Sequence, residues 1–436
     1  MTKLLISLGF LVSLEAMAAA QAAPSDIPIS SFDPEDAVAP VSSIEGHGIK
    51  IGEGTVLHPT VGLETGIVSN VFYTASDPVA AGVLRLLVQV GTASFSGERM
   101  QAPDTGGGGA TSTGSFTYSA SVRASYDQML SGSETVRSTG GLGLGALFKS
   151  TVNPAGKVSL GIDENFVRLI RAANFETDAD TNRDINLLGL NVNFRPDSAF
   201  GGFAYYRNVI DVFEKSSQRF ADRMENTVGI HPTWHWLPNT QVYLDLSQGI
   251  YTGIGGSSKK VSSYPFEGVA GLATLLTLRT TLNVNAGYTF GNYSTGASYS
   301  GFVASAQFGY RYSPLGRVLA AYDLIYSDSI NANYYRDHVA RLWLQQLYNP
   351  LTFMIQPELH FREYQGITLV NGPPTRNDTI LSVIAGVHYN FRTWMVATLD
   401  YHYSQVITDY RYLSSTMSID PSFARHELLL GVRVAL

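Results

Sequence analysis

Apolar and polar residues alternate with period two in segment after segment from about residue 56 to the carboxy terminus, with turn residues between the segments. The last segment, "ARHELLLGVRVAL", is the clearest. Leu428, Leu430, Val432, Val434 and Leu436 fall on one face, and Arg425, Glu427, Gly431 and Arg433 on the other. "LNVNAGYTF" sets Asn283 and Asn285 opposite Val284 and Ala286, and "FTYSASVRASYD" sets Arg123, Ser125 and Asp127 opposite Val122, Ala124 and Tyr126. No helical period competes for long. A face suited to lipid backed by a face suited to water, sustained over most of the chain, predicts an all-β protein. The expected form is a transmembrane antiparallel β-barrel of about eighteen strands, with sixteen as the alternative count.

The connections give a second signal. After even-numbered segments the turns are tight, as in "LPN", "RTT", "SPLG", "NP" and "RT". After odd-numbered segments they are longer and polar, as in Thr252 to Tyr264, Gly366 to Thr375 and Asp409 to Asp420. Outer-membrane barrels have this parity of short periplasmic turns and long outer loops. The glycine run at residues 104 to 114 breaks it, so either it is a periplasmic loop or the early register is off by one strand. Among the predicted strands are 56 to 74, 134 to 150 and 316 to 331. Pro357 removes a ladder hydrogen bond within the strand 351 to 365, and a bulge or bend is expected there. Trp234 and Trp236, beside the tight turn in "TWHWLPN", read as interfacial anchors.

The start of the chain has a different character. Residues 1–22 hold a lysine, an apolar run from Leu4 to Leu14 and a small-residue site at Ala20-Gln21-Ala22, the layout of a cleavable signal peptide. Residues 23–55 are proline-rich, acidic and aperiodic, which predicts a periplasmic tether or a plug for the lumen. The barrel is assigned to 56–436.

Composition narrows the functions. Charged residues are 15% of the chain, against about 25% in ordinary soluble proteins. With no cysteine, disulfides, thiol nucleophiles and thiolate metal sites are excluded. A net charge of -7 leaves no basic footprint for nucleic acid.

Candidate chemistry lies on the inferred inward faces. "MIQPELHFREY" places Glu358, His360 and Arg362 at alternate positions, and the next segments add His388 and Arg392, then Asp400 and His402, then Arg425, Glu427 and Arg433. Arg123, Asp127, Arg207, Asp211, Asp245 and Arg311 face the same way, as do Glu64, Arg85, Asp323 and Arg341. Two readings stay open and are compatible: mutual pairing that holds the wall rigid, or a polar track for a hydroxyl-rich solute. Asp400, His402 and Ser404 evoke a hydrolase triad, but alternate strand residues stand about 7 Å apart with parallel side chains, so no enzyme is expected. His231 and His235, about 13 Å apart on a strand, cannot chelate together. No metal or cofactor is predicted.

Two stretches resemble a known family. "LHPTVGLETGIVSNVFY", with Ser69-Asn70 ahead of Phe72 and Tyr73, and "ENFVRLIRAANFETDADTNRDINLLGLNVNFRP" are similar to the β-barrel porin 2 type of outer-membrane proteins associated with polysaccharide export. The terminal Leu436 departs from the aromatic that ends many such barrels. The resemblance implies an integral outer-membrane channel that passes a polysaccharide outward, handed over by a periplasmic polysaccharide-export protein after insertion by the barrel-assembly machinery. The alternative function is a general or substrate-selective diffusion porin for small solutes.

Overall fold

The computed structural model describes residues 46–51, 56–93, 115–170, 182–195, 199–237, 239–256, 259–367, 373–414 and 417–436. The expected signal peptide and most of the expected tether lie outside the described residues. Eighteen strands form the wall: β1 Val56–Val68, β2 Ala81–Ala93, β3 Phe116–Leu130, β4 Gly141–Val152, β5 Val158–Leu169, β6 Arg183–Phe194, β7 Phe200–Phe213, β8 Arg223–Leu237, β9 Thr240–Gly253, β10 Ser263–Thr277, β11 Thr280–Tyr293, β12 Tyr299–Ser313, β13 Gly316–Asp328, β14 Tyr334–Tyr348, β15 Leu351–Gln365, β16 Thr375–Arg392, β17 Met395–Thr408 and β18 Phe423–Ala435. Each pairs antiparallel with its neighbours in sequence, and β18 returns to β1 through Thr60↔Ala435 to Val68↔Glu427. The ring is closed. No barrel strand is left with a free edge, the condition for strands to cross a bilayer.

Strand parity decides what each face meets. Along β18, Leu428, Leu430 and Val432 are exposed on the outside while Arg425, Glu427, Leu429 and Arg433 are buried on the inside. Leu399 pairs with Leu430 and Tyr401 with Leu428, so apolar positions of adjacent strands line up around the outer wall. Trp234, Trp236, Phe200, Tyr348, Phe391 and Trp394 are exposed near the short turns, forming an aromatic girdle at that end.

The short connections are 153–157, 195–199, 238–239, 278–279, 314–315, 349–350 and 393–394, all after even-numbered strands, and the chain enters and leaves at the same end. There the Gly48 amide donates to the Leu436 carbonyl at 2.8 Å, and the Leu436 amide to the Pro59 carbonyl at 2.9 Å. The parity read from the sequence stands, although 294–298 and 329–333, at the other end, are as short as 153–157. The glycine run at 104–114 lies outside the described residues; the strands on either side of it, β2 and β3, pair directly from Gly82↔Leu130 to Ala93↔Ser119.

Four expectations need correction. The strand predicted from 134 begins at Gly141, because Glu134–Arg137 form a helical turn closed by bonds from Arg137 and Ser138 back to Ser133 and Glu134. The first strand stops at Val68 rather than 74. Beyond it Asn70 pins the loop, donating to the carbonyls of Thr74 (2.8 Å) and Ala424 (3.1 Å) and accepting the Thr74 amide. Similarly β13 ends at Asp328, short of 331. No bulge accompanies Pro357: the β14–β15 register is the same on either side, Arg341↔Glu358 and Leu344↔Ile355, and only the pairing between them lapses. A missing N–H opens the ladder locally without needing an extra residue.

Candidate functional site: the ion-paired wall of the lumen

Glu358, His360 and Arg362 point inward from β15, while Phe353, Ile355 and Phe361 are exposed outside. They converge with residues of β14. Asp337 accepts from Arg362 Nε (2.9 Å) and a terminal guanidinium nitrogen (2.7 Å), and lies 3.0 Å from His360 Nδ1. The opposite ring nitrogen of His360 is 2.7 Å from Glu358, and Glu358 is 3.4 Å from Arg341, which bonds Asp323 of β13 at 2.7 Å. The Arg362 guanidinium also lies 4.1 Å from the centre of the Tyr335 ring. This is a chain of contacting polar and charged side chains running across three strands, and it orders its members against one another.

A second network crosses the closing seam. Arg433 of β18 bonds Glu64 of β1 and approaches Asp400 of β17 at 3.5 Å, and Asp400 is 2.9 Å from His388 of β16. Next to it Arg85 of β2 forms a two-pronged pair with Asp127 at 2.7 and 2.9 Å and reaches Glu427 at 3.1 Å. Arg425 bonds the other Glu427 oxygen at 2.7 Å. On the opposite wall Asp211 holds Arg183 (3.0 Å) and Arg223 (3.1 Å), and Asp245 holds His231 (2.8 Å) and the Tyr205 hydroxyl (3.0 Å).

Eighteen of the twenty residues singled out for the inner face thus lie on it as strand parity requires. Among them, Arg123 stands across from Gln89 and Gly145, Arg207 across from Gly189 and Thr227, and His402 across from Ile384 and Glu427. Arg311 and Arg392 are exposed at the short-turn end, each beside a register irregularity, and stand outside the networks. Asp400 is engaged by His388 at 2.9 Å and by Arg433 at 3.5 Å. Sequence reasoning missed Asp337 and Arg183, each the hub or anchor of a pair. In "YYRDHV" charged residues occupy consecutive positions, so period two does not say which of Arg336 and Asp337 is inside.

At the long-loop end the wall is tied to its connections. Burial pushes the Asp409 carboxyl up, but hydrogen bonds from the Asn377 amide and side chain, both 2.9 Å, outweigh it and hold Asp409 below its ordinary value.

Several solved structures are similar in overall arrangement. OccK2 (OpdF) of Pseudomonas aeruginosa, solved in complex with glucuronate, is 12% identical with TM-score 0.45, over 88% of this chain and 99% of that one. A BenF-like porin from Pseudomonas fluorescens Pf-5 is 11% identical with TM-score 0.46, covering 88% and 99%. OpdK of Pseudomonas aeruginosa, solved with vanillate, is 10% identical with TM-score 0.44, covering 87% and 99%. No family profile matches the chain, and no curated protein matches it in sequence. The eighteen-strand assignment rests on this chain's own ring of pairings.

Proposed function

We propose that the protein is a diffusion porin of the bacterial outer membrane, passing small polar solutes through its lumen. The observation that carries this reading is the closed eighteen-strand ring with an apolar exterior and an inner wall whose charges are paired across strands. Barrels of this size enclose an aqueous passage, and a wall stiffened by ion pairs keeps it open without consuming energy.

Polysaccharide export gains no support. A polymer track needs rows of donors and acceptors turned toward the passage. Here Asp337, His360, Arg362 and Arg433 are no more than 2% exposed and spend their hydrogen bonds on neighbouring strands. Nothing further favours a periplasmic export partner.

Purified barrel in planar lipid bilayers should give stepwise, voltage-independent currents in potassium chloride, and proteoliposomes should swell in small sugars but not in oligosaccharides. A silent bilayer with unswollen vesicles would sink the porin reading.

A further inference from the structure

Each barrel strand has two partners, but one pairing stops short. Strands β12 and β13 pair only as far as Ala304↔Leu324, although β12 begins at Tyr299 and β13 runs to Asp328. Each stays paired on its other side, β12 with β11 to Gly291↔Tyr299 and β13 with β14 to Asp328↔Tyr334. The wall therefore forks at its long-loop end. The rungs that would continue it, Val303 with Ile325, Phe302 with Tyr326, Gly301 with Ser327 and Ser300 with Asp328, are not made.

Residues of β13 past the fork have changed sides. Tyr322, Leu324, Tyr326 and Asp328 share one face of the strand, and Tyr322 is exposed on the outer wall. Yet Asp328 accepts the hydroxyls of Ser263 (3.2 Å) and Tyr293. Those two share their faces of β10 and β11 with Val269 and Gly287, the pair beside the luminal Asp245. The Tyr326 ring stacks on Tyr299 at 5.1 Å, and its hydroxyl fills the space that a Cβ on Gly301 would take, on the inner face across from Thr289.

The tip of the β13–β14 hairpin thus lies inside the barrel, over the inner faces of β10 to β12. It is held there. Lys260 Nζ donates to the carbonyls of Ser329 and Ala332, and the Asn333 side-chain amide to those of Thr295 (3.0 Å) and Ala297 (2.8 Å), with Ser329, Ala332 and Asn333 buried. A second layer of sheet laid on the wall takes about 10 Å from the width of the passage.

Two sets of contacts compete for the tip. Phe302, level with the fork, is exposed on the outer wall, so the open rungs lie at a height that faces lipid, where unpaired backbone is costly. Rejoining the wall would complete those rungs. It would also return Tyr326 to the outer face beside Phe302, the side on which Tyr322 and Leu324 place it by alternation and where tyrosine suits the membrane interface. The inward contacts of Lys260, Asn333 and Asp328 oppose this move.

We infer that the β13–β14 hairpin is a gate with two positions, drawn inward as here or zipped into the wall against β12, and that zipping widens the passage. Discrete alternative packings of one element are the usual basis of such switching. The inference rests on the porin reading, whose passage the hairpin regulates.

The chain has no cysteine, so an engineered pair reports the position of the hairpin without ambiguity. Phe302→Cys with Tyr326→Cys places the two thiols on opposite sides of the wall in the inward position and within disulfide reach once the ladder closes. Phe308→Cys with Ala320→Cys, on a rung already made, is the control. Under mild oxidation in lipid both pairs should cross-link, the first more slowly, and adding Lys260→Met should speed the first by about tenfold. The oxidised Phe302→Cys/Tyr326→Cys barrel should conduct more than the unmodified one and let proteoliposomes swell in raffinose, which the unmodified barrel excludes. No cross-link where the control forms, a rate indifferent to Lys260→Met, or an oxidised barrel no wider than the unmodified one would overturn the gate. If the cysteine pair fails to fold, Lys260→Met alone decides, by the same rise in conductance or its absence. Cross-linking is read by electrophoresis, so absence of current in the unmodified barrel would count against the porin reading alone.

Discussion

Arg433 on the last strand donates from Nε to Glu64 on the first at 3.0 Å, and both residues are 1% exposed. The pair therefore bridges the seam where the two ends of the chain meet. Removing one partner strands a buried charge, whereas removing both strands none. Arg433→Met should destabilise the barrel by about 3–5 kcal/mol, and adding Glu64→Met should recover much of that loss. Urea midpoints in lipid would show it. A double variant no more stable than the single would mean that the pair does not act as a unit.

The same seam depends on backbone approach. A Cβ placed on Gly66 would lie 1.9 Å from the Leu428 carbonyl oxygen, while one on Gly91 would meet nothing nearer than 3.8 Å. Gly66→Ala should force β1 away from β18 and impair folding, and Gly91→Ala should be tolerated. The folded fraction of each, read from the electrophoretic shift between unheated and boiled samples, is the check. Equal folding of the two would remove close packing as the reason for glycine at 66.

If the outer wall meets lipid, the cost of a charge there must depend on depth. Leu430 is mid-strand and 58% exposed, whereas Ala424 is exposed at the long-loop end of the same face. Leu430→Arg should cost about 2–4 kcal/mol and Ala424→Arg about 0–1 kcal/mol in unfolding measured in bilayers. Similar costs at the two depths would count against this face lying in hydrocarbon.

Asp409, held below its ordinary value by Asn377, gives the loop after β17 a dependence on pH. A depressed folded-state pKa contributes stability that is present above the unfolded-state value, about 3.9, and fades as pH falls through the lower folded value. Protection of the 409–414 amides, taken relative to their intrinsic exchange rate at each pH, should therefore fall in acid below that range in the unmodified protein, and Asn377→Ala should show the low protection, and hence a faster rate than the parent, already at neutral pH. An Asn377→Ala rate equal to the parent's at neutral pH would exclude this tie.

Much of the barrel was legible because lipid outside and water inside impose the simplest of sequence periods. Leu428 to Val434 announce their face without help from any other strand. The pairs were less legible: which acid meets which base depends on register, so Asp337 and Arg362, 25 positions apart in sequence, are brought together only by the offset between β14 and β15. The helical turn at Glu134–Arg137 went unread because one turn has too few residues to display a period.

Arg341 offers a direct test of whether the paired wall governs what passes. Its guanidinium bonds Asp323 at 2.7 Å and stands 3.4 Å from Glu358, yet its side chain remains 36% exposed to the lumen. Arg341→Gln removes a positive charge that solutes can sense and leaves Asp323 without its arginine, while Glu358 keeps His360. The passage should become more favourable to cations. Because the site is partly solvated, the change is limited to about 1 kcal/mol, or up to about fivefold in the ratio of cation to anion permeability. Combining it with Asp323→Asn should return the ratio toward that of the parent, since the charge removed is then balanced. Reversal potentials across a potassium chloride gradient measure this directly. A ratio unmoved by Arg341→Gln would place the narrowest part of the passage away from β13–β15, and a shift toward anions would reverse the assigned orientation of these side chains.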